Sequence, residues 1–169
     1  REYATITATK SLQSVTGPVT EITTAQRASG SIAAAGYVGF RANTPLLTSG
    51  QPNANALPVV PGLVYTLSAY FKASAIPGTG TAYVAIEWYD AAGALLSTSV
   101  EGSQVIGTGV WTRPTVSVTA PVGASIAAPR LRFSGSSAGT LTVDFTGVMF
   151  TQTTTVQTYF DGSSTYHAW

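Results

Sequence analysis

The sequence contains no cysteine and very little charge. Without cysteine, disulfides and cysteine-based metal sites are excluded. Charged residues make up 9% of the 169-residue chain, far below the roughly 25% of an average soluble domain. The formal net charge is +1. The chain therefore lacks the excess of positive charge that binding to nucleic acid requires, and we expect no nucleic-acid partner. So little charge is typical of a protein that sits in an assembly or an extracellular particle.

Membrane-spanning and catalytic patterns are also lacking. No apolar run approaches the roughly 20 residues that a transmembrane helix needs, so we expect no membrane insertion. The chain lacks a signal peptide and an initiator methionine, and we interpret it as a piece of a longer polypeptide. With a single histidine, His167, a hydrolase triad is unexpected. Glu87 and Asp90 differ in strand parity, which argues against a glycosidase pair. We therefore expect no enzymatic activity.

The clearest pattern is the stretch YTLSAYFKAS-AIPGTGT-AYVAIEWYD, residues 65–90. Two runs alternate apolar and polar residues across a Pro/Gly/Thr connection, which predicts two paired antiparallel strands that each turn one face toward a core. The predicted inward residues are Tyr65, Leu67, Ala69 and Phe71 in the first run and Ala82, Val84, Ile86 and Trp88 in the second. The outward face of the second run carries Tyr83, Glu87 and Tyr89, which is unusual for a solvated face.

Other short alternating segments surround this stretch and predict further strands. They lie at Tyr3–Thr9, within Ser31–Asn43, and at Leu95–Val100, Val110–Thr119, Ser125–Ser134 and Gly139–Thr151. Residues 10–30 are polar and fit a short strand or a long loop, and residues 43–62 form a proline-rich connection. Pro114 favours an edge or a bulge, and Gly147 a bulge in the last strand. No segment has a convincing helical period, so the sequence predicts an all-β antiparallel β-sandwich, a jelly roll of about eight strands.

The last part of the chain does not alternate. YFDGSSTYHAW carries the aromatic residues Tyr159, Phe160, Tyr166 and Trp169, whose exposure to water is unfavourable. We predict a sandwich domain over residues 1–152 and, over residues 153–169, a C-terminal extension or linker that packs on the sandwich or on a neighbour.

Several segments in a fixed order carry a family resemblance. YTLSAYFKAS, AYVAIEWYDAAGALL, VWTRPTVSVTAPVGA, PRLRFSG and GTLTVDFTGVMF follow one another between about residues 60 and 150. Together they resemble jelly-roll carbohydrate-binding modules of families four, nine and twenty-two. The ending, YFDG followed by Tyr166-His167-Ala168-Trp169, resembles minor tail proteins of phages that infect actinobacteria. The resemblance implies a phage-tail (virion) location, with host cell-surface carbohydrate and other tail-protein subunits or domains as partners, and a homo-oligomer in the assembly.

The strand order of that family places three of the predicted strands in one sheet. Its outward residues would be Tyr37, Arg41, Tyr83, Glu87, Tyr89, Arg130 and Arg132. Sugars pack their C–H faces on aromatic rings and take bidentate hydrogen bonds from arginine and carboxylate, so this set is the candidate glycan-binding site. Two other interpretations remain open. The tyrosines could cover the sheet while Glu87 pairs with an arginine across strands, or the face could be an interface with a neighbouring tail domain.

Asp144 stands inside an apolar strand, in TVDF. The resemblance implies that an aspartate at this place helps to bind a structural calcium ion with residues near the first strand, and oxygen ligands suit that ion. The alternative is a carboxylate that ties down a loop through hydrogen bonds. Apart from calcium, no cofactor is expected. Two other functions remain open for the whole chain: a structural spacer or decoration domain, and a carbohydrate-binding module of a secreted glycoside hydrolase.

Overall fold

The structure is a computed structural model that describes residues 9–33, 36–41 and 57–159. These residues form β-strands joined by turns and short connections, with no helix in the described ranges. The strands are β1 (Thr9–Ser14), β2 (Thr24–Ile32), β3 (Tyr37–Arg41), β4 (Leu57–Pro58), β5 (Val64–Ala75), β6 (Gly80–Tyr89), β7 (Leu95–Thr98), β8 (Gly102–Ile106), β9 (Thr115–Thr119), β10 (Ile126–Gly135) and β11 (Gly139–Thr151).

The strands are arranged in two sheets. The first sheet has the order β1-β2-β11-β5-β9, and the second has the order β3-β10-β6-β7, with β4 added to β10 and β8 added to β6. Every ladder between named strands is antiparallel. The prediction of an antiparallel β-sandwich of the jelly-roll type is therefore confirmed, with more strands than expected among the described residues.

The stretch of residues 65–90 forms two strands, as predicted, but the predicted pairing between them is wrong. β5 lies in the first sheet and β6 in the second, so the short connection between them crosses from one sheet to the other. The connection from β10 to β11 crosses back beside it. The two crossings are joined because the Ser136 amide donates to the Thr79 carbonyl at 3.0 Å and the Ser137 amide donates to the Pro77 carbonyl at 3.2 Å.

The core lies between the inner faces of the two sheets. All the predicted inward residues of β5 and β6 are buried, and Trp88 and Phe71 are among the largest fully buried side chains. The Tyr65 ring meets Trp88 edge-on at 5.9 Å between centroids and stacks on Phe150 at 5.3 Å. The predicted burial of Trp88 and Phe71 in one core is confirmed, and with it the strand register used to choose the outward residues.

The glycine and the proline that predicted strand irregularities both lie where the strand pairing is interrupted or ends. The Gly147 backbone has a φ of 55°, and the pairing of β11 with β5 shifts register between Thr146 and Met149, which confirms the predicted bulge. Pro114 precedes β9, the edge strand of the first sheet, as expected for proline. The predicted strand at Tyr3–Thr9 falls outside the described residues, except for Thr9 at the start of β1. Among the described residues, no helix is long and apolar enough to cross a bilayer.

The segment after β11 runs over the outer face of the first sheet. The Thr66 hydroxyl donates to the Thr153 carbonyl at 2.6 Å, and a methyl group built on Gly147 would lie 3.3 Å from the Tyr159 ring. Residues 160–169 lie outside the described residues, so the division into a domain over 1–152 and an extension over 153–169 stays a prediction.

Candidate functional site

The three strands assigned to one face do lie side by side, in the order β3-β10-β6. In the register of these ladders, Arg132 is opposite Tyr83 on one side and Gly39 on the other. Directly opposite residues of an antiparallel pair point to the same face of a sheet. The structure therefore brings together Tyr37, Tyr83, Arg130 and Arg132. Arg41 is the backbone partner of Arg130, and its side chain lies outside the described part of the chain.

Arg132 is the centre of this group. Its guanidinium carbon lies 4.3 Å from the centroid of the Tyr83 ring and 5.0 Å from that of Tyr37, distances typical of cation–π contacts. Its Nη2 donates to Oε2 of Glu101 on the connection before β8 at 2.6 Å, and its buried Nε has no acceptor among the described residues. The arginine thus holds two tyrosine rings in place and uses one face of each.

An open groove lies beside this stack and has a volume of about 340 Å³. Besides Tyr37, Tyr83 and Arg132, it is lined by Thr79, Thr81, Ser134, Gly135 and Ser136. Thr81 and Ser134 are opposite each other in the ladder between β6 and β10. The groove therefore combines aromatic rings with hydroxyl groups, which can both donate and accept hydrogen bonds. Such a lining suits a polar ligand that also has apolar faces.

Glu87 and Tyr89 do not belong to the accessible surface. They point to the same side of β6 as Tyr83, but only 1% of Glu87 and 7% of Tyr89 is exposed. The Tyr89 hydroxyl donates to Oε2 of Glu87 at 2.8 Å, and Tyr89 packs with Ile126 and Ala128 of β10. These two residues therefore do not offer a sugar an open surface, and their assignment to the glycan-binding site stays a prediction.

Replacing Tyr89 by phenylalanine should lower the free energy of unfolding by about 1.5–3 kcal/mol, since a buried carboxylate would lose a hydrogen-bond donor. Chemical denaturation of both proteins measures this change. Tyr83→Phe is the matched control, because the described part of the chain contains no hydrogen bond to the Tyr83 hydroxyl. Equal losses in the two variants would show that the Tyr89–Glu87 bond contributes nothing specific.

Asp144 on β11 is bound to an arginine. Nε and Nη2 of Arg27 on β2 donate to its two carboxylate oxygens at 2.7 and 2.8 Å, and only 2% of the Asp144 side chain is exposed. The hydrogen bond to this carboxylate raises the pKa of Arg27 and outweighs the effect of partial burial. A calcium ion would have to displace the guanidinium, and the described residues contain no cluster of three acidic, histidine or cysteine side chains. The residues present at Asp144 therefore do not fit the calcium site that the resemblance implied.

Residues 135–139, Gly-Ser-Ser-Ala-Gly, have the Gly-x-Ser-x-Gly spacing of a nucleophile elbow. In that motif the serine sits on a sharp turn from a strand into a helix. Here the segment connects β10 to β11, and Ser136 and Ser137 are tied to the neighbouring crossing. The single histidine, His167, lies outside the described residues. The serine spacing thus belongs to a structural connection between strands.

Sequence reasoning missed several residues of the groove. Thr81 has the same strand parity as Tyr83, and Ser134 has the same parity as Arg132, so parity alone could have found both. Glu101 could not be found in this way, because it lies outside a strand, just before β8, which the sequence did not predict.

Comparison with known proteins shows similarity at the level of structure alone. No protein-family model and no curated protein matches this sequence. The C-terminal family 22 carbohydrate-binding module of a Clostridium thermocellum xylanase is similar with a TM-score of 0.58 and 12% identity, over 89% of this chain and 85% of that one. A family 4 carbohydrate-binding module matches with a TM-score of 0.52 and 18% identity, over 84% of this chain and 88% of that one.

A phage protein is also among the similar structures. Tailspike protein 4 of bacteriophage CBA120 matches with a TM-score of 0.54 and 16% identity, over 85% of this chain, but this chain spans only 17% of the tailspike chain. At these identities the likeness shows the fold. The chain has the jelly-roll β-sandwich fold of carbohydrate-binding modules.

Proposed function

We propose that this chain is a non-catalytic glycan-binding module of a phage tail that helps the tail to attach to carbohydrate on the host cell surface. The observation that carries the proposal is the open groove beside the Tyr37–Arg132–Tyr83 stack. The carbohydrate-binding-module fold supports it, and so does the low charge of the chain. The phage setting is supported by the resemblance of YFDG and the following residues to minor tail proteins, and by the likeness to a tailspike.

The groove offers a sugar two kinds of contact. Both tyrosine rings pack against Arg132, and such a contact lowers the conformational entropy lost when a ligand packs against them. The hydroxyls of Thr81, Ser134 and Ser136 border the same space and can exchange hydrogen bonds with sugar hydroxyls. Glu87 and Tyr89, being buried, would act by supporting the sheet rather than by touching the ligand.

Binding to a single module should be weak. A few ring contacts and solvent-exposed hydrogen bonds supply about 4–6 kcal/mol, which corresponds to a Kd on the order of millimolar to tens of micromolar. Several copies in one tail would raise the overall affinity through avidity. A weak module of this kind can therefore still hold a cell.

Replacing Tyr83 by alanine should reduce glycan binding at least roughly tenfold, because it removes a groove wall and one of the two rings that hold Arg132. The measurement is binding of multivalent, bead-coupled protein to an array of host cell-wall polysaccharides. Tyr70→Ala is the matched control, since Tyr70 also lies beneath an arginine, Arg113, at 4.9 Å, but on β5 in the opposite sheet. Equal binding by both variants would remove Tyr83 from the site. If the wild-type protein binds nothing on the array, the glycan-binding proposal fails.

A role as a spacer or assembly domain is the second candidate, and one surface favours it. The edge formed by β7 and β8 exposes several apolar side chains, which are Leu95, Leu96, Val100 and Val105. Clustered exposed apolar residues often mark contacts with other proteins. Self-association in the assembly, or contact with other tail proteins, would cover this edge while leaving the groove open. Sedimentation over a range of concentrations tests self-association, and neighbouring reading frames distinguish a phage tail from a secreted hydrolase.

A further inference from the structure

Arg130 differs from the other cationic side chains that the structure describes. Arg27 binds Asp144, Lys72 lies over the Trp111 ring, Arg113 contacts Tyr70 and Ser68, and Arg132 binds Glu101. For Arg130, the described part of the chain contains no hydrogen bond, ion pair or ring contact. A partly buried guanidinium with unused donors is prepared to bind an anion.

Arg130 is partly buried and stands next to the groove without lining it. Its register neighbours are Ala85 on β6 and Arg41 on β3. The Ala85 side chain is too small to cover a guanidinium, and Arg41 is itself cationic. Arg130 is two residues from Arg132 on the same strand, so the two lie about 7 Å apart along the sheet. A ligand of more than one sugar that extends from the groove past Arg132 would reach both arginines.

Among the acidic residues that the structure describes, none forms an ion pair with Arg130. Glu101 is bound to Arg132, Glu87 is buried and accepts from Tyr89, and Asp90 accepts from the Ala94 amide at 2.8 Å. Residues 42–56, ANTPLLTSGQPNANA, which separate β3 from β4 in the sequence, include no Asp or Glu. The Arg132–Glu101 pair is neutral as a unit and Glu87 is buried, so among the described residues Arg130 is the partly exposed charge that this part of the face offers a ligand.

We propose that the glycan taken by this groove is anionic, and that Arg130 binds its carboxylate or phosphate groups. This inference rests on the proposed glycan-binding function and adds the chemical class of the ligand. Arg130 provides charge recognition, while the Tyr37–Arg132–Tyr83 stack and the hydroxyls provide contacts that a neutral sugar could also make.

The test uses paired polysaccharides that differ only in charge. One pair is a set of uronate oligosaccharides and the same set with its carboxylates reduced to alcohols. The other is a phosphate-bearing cell-wall polymer and its dephosphorylated sugar component. Wild-type protein should bind an anionic member about fivefold or more tightly than its neutral counterpart. The preference should shrink when the salt concentration rises from roughly 0.02 to 0.3 M, because the Debye length shortens.

Arg130→Gln should lower the affinity for the anionic member about fivefold, leave the neutral member unchanged and remove the salt dependence. Lys72→Gln is the matched control, since it removes one positive charge from the opposite sheet and should change neither affinity. Equal binding of charged and neutral members would overturn the anionic assignment and leave the glycan-binding function intact. No binding to any member would overturn both. Preference for one pair over the other distinguishes carboxylate from phosphate.

Discussion

Replacing Trp88 by alanine is expected to lower the free energy of unfolding by about 3–5 kcal/mol, a large part of the stability of a domain of this size. Trp88 is 2% exposed and lies on β6 in the centre of the second sheet. Its ring meets Tyr65 of the first sheet edge-on, so it bridges the two layers. Truncation would leave a cavity that strands held on both sides cannot fill. Denaturant unfolding followed by far-ultraviolet circular dichroism measures the loss.

Trp111 provides the control for this prediction. It lies outside the named strands and is half-buried, with its Nε1 donating to the Thr16 carbonyl at 3.0 Å and Lys72 over its ring. Trp111→Ala should therefore cost less, roughly 1–2 kcal/mol. Equal losses in the two variants would contradict a core that is organised around Trp88.

Strand positions and inward faces could be read from the sequence because alternation reports burial directly. In β5 and β6 every second residue is apolar, and those from Tyr65 to Ala73 and from Ala82 to Trp88 are all buried. Alternation does not report which strand is the neighbour. The short link from β5 to β6 has the composition of a hairpin turn, yet it crosses between sheets. The crossing is stabilised by hydrogen bonds to the distant connection after β10, which no local pattern contains.

The outward faces were harder to predict for a related reason. Thr66 and Ser68 alternate correctly with the core of β5, yet both are buried, because the segment after β11 and the Arg113 side chain cover them. Glu87 and Tyr89 on the other sheet also point away from the core and are buried. A one-dimensional pattern shows that a side chain leaves the core, but it does not show whether a second layer covers it.

The candidate site was accessible to sequence reasoning only in part. Tyr37, Tyr83 and Arg132 could be grouped because parity gave their face and the family strand order gave their sheet. The contact of Arg132 with both rings depends on the register of β10 with β3 and with β6, which the sequence does not specify. The pairing of Arg27 with Asp144 was not predictable, because residues 10–30 showed no clear strand pattern and the two residues are 117 positions apart.

Replacing Arg27 by glutamine should destabilise the protein by about 3 kcal/mol, the lower end of the range for breaking a buried ion pair. Asp144 would keep its buried position and lose both guanidinium donors. The lower end is expected because 32% of the Arg27 side chain is exposed, so water screens part of the interaction. Lys72 is the register partner of Asp144 on the other side. Because Lys72 is engaged with Trp111, Lys72→Gln should cost under about 1 kcal/mol.

The double variant Arg27→Met/Asp144→Leu tests whether the ion pair gives the fold net stability or only offsets the cost of burying the Asp144 carboxylate. Removing both charges abolishes the cost of a buried carboxylate, and replacing buried pairs with apolar residues of similar volume is often neutral or stabilising. We therefore expect the double variant to be more stable than Arg27→Gln by at least about 2 kcal/mol in denaturant unfolding. A double variant as unstable as Arg27→Gln would mean that the ion pair itself holds β2 to β11. In that case the carboxylate at Asp144 would be a positive contributor to the first sheet rather than a charge that needs compensation.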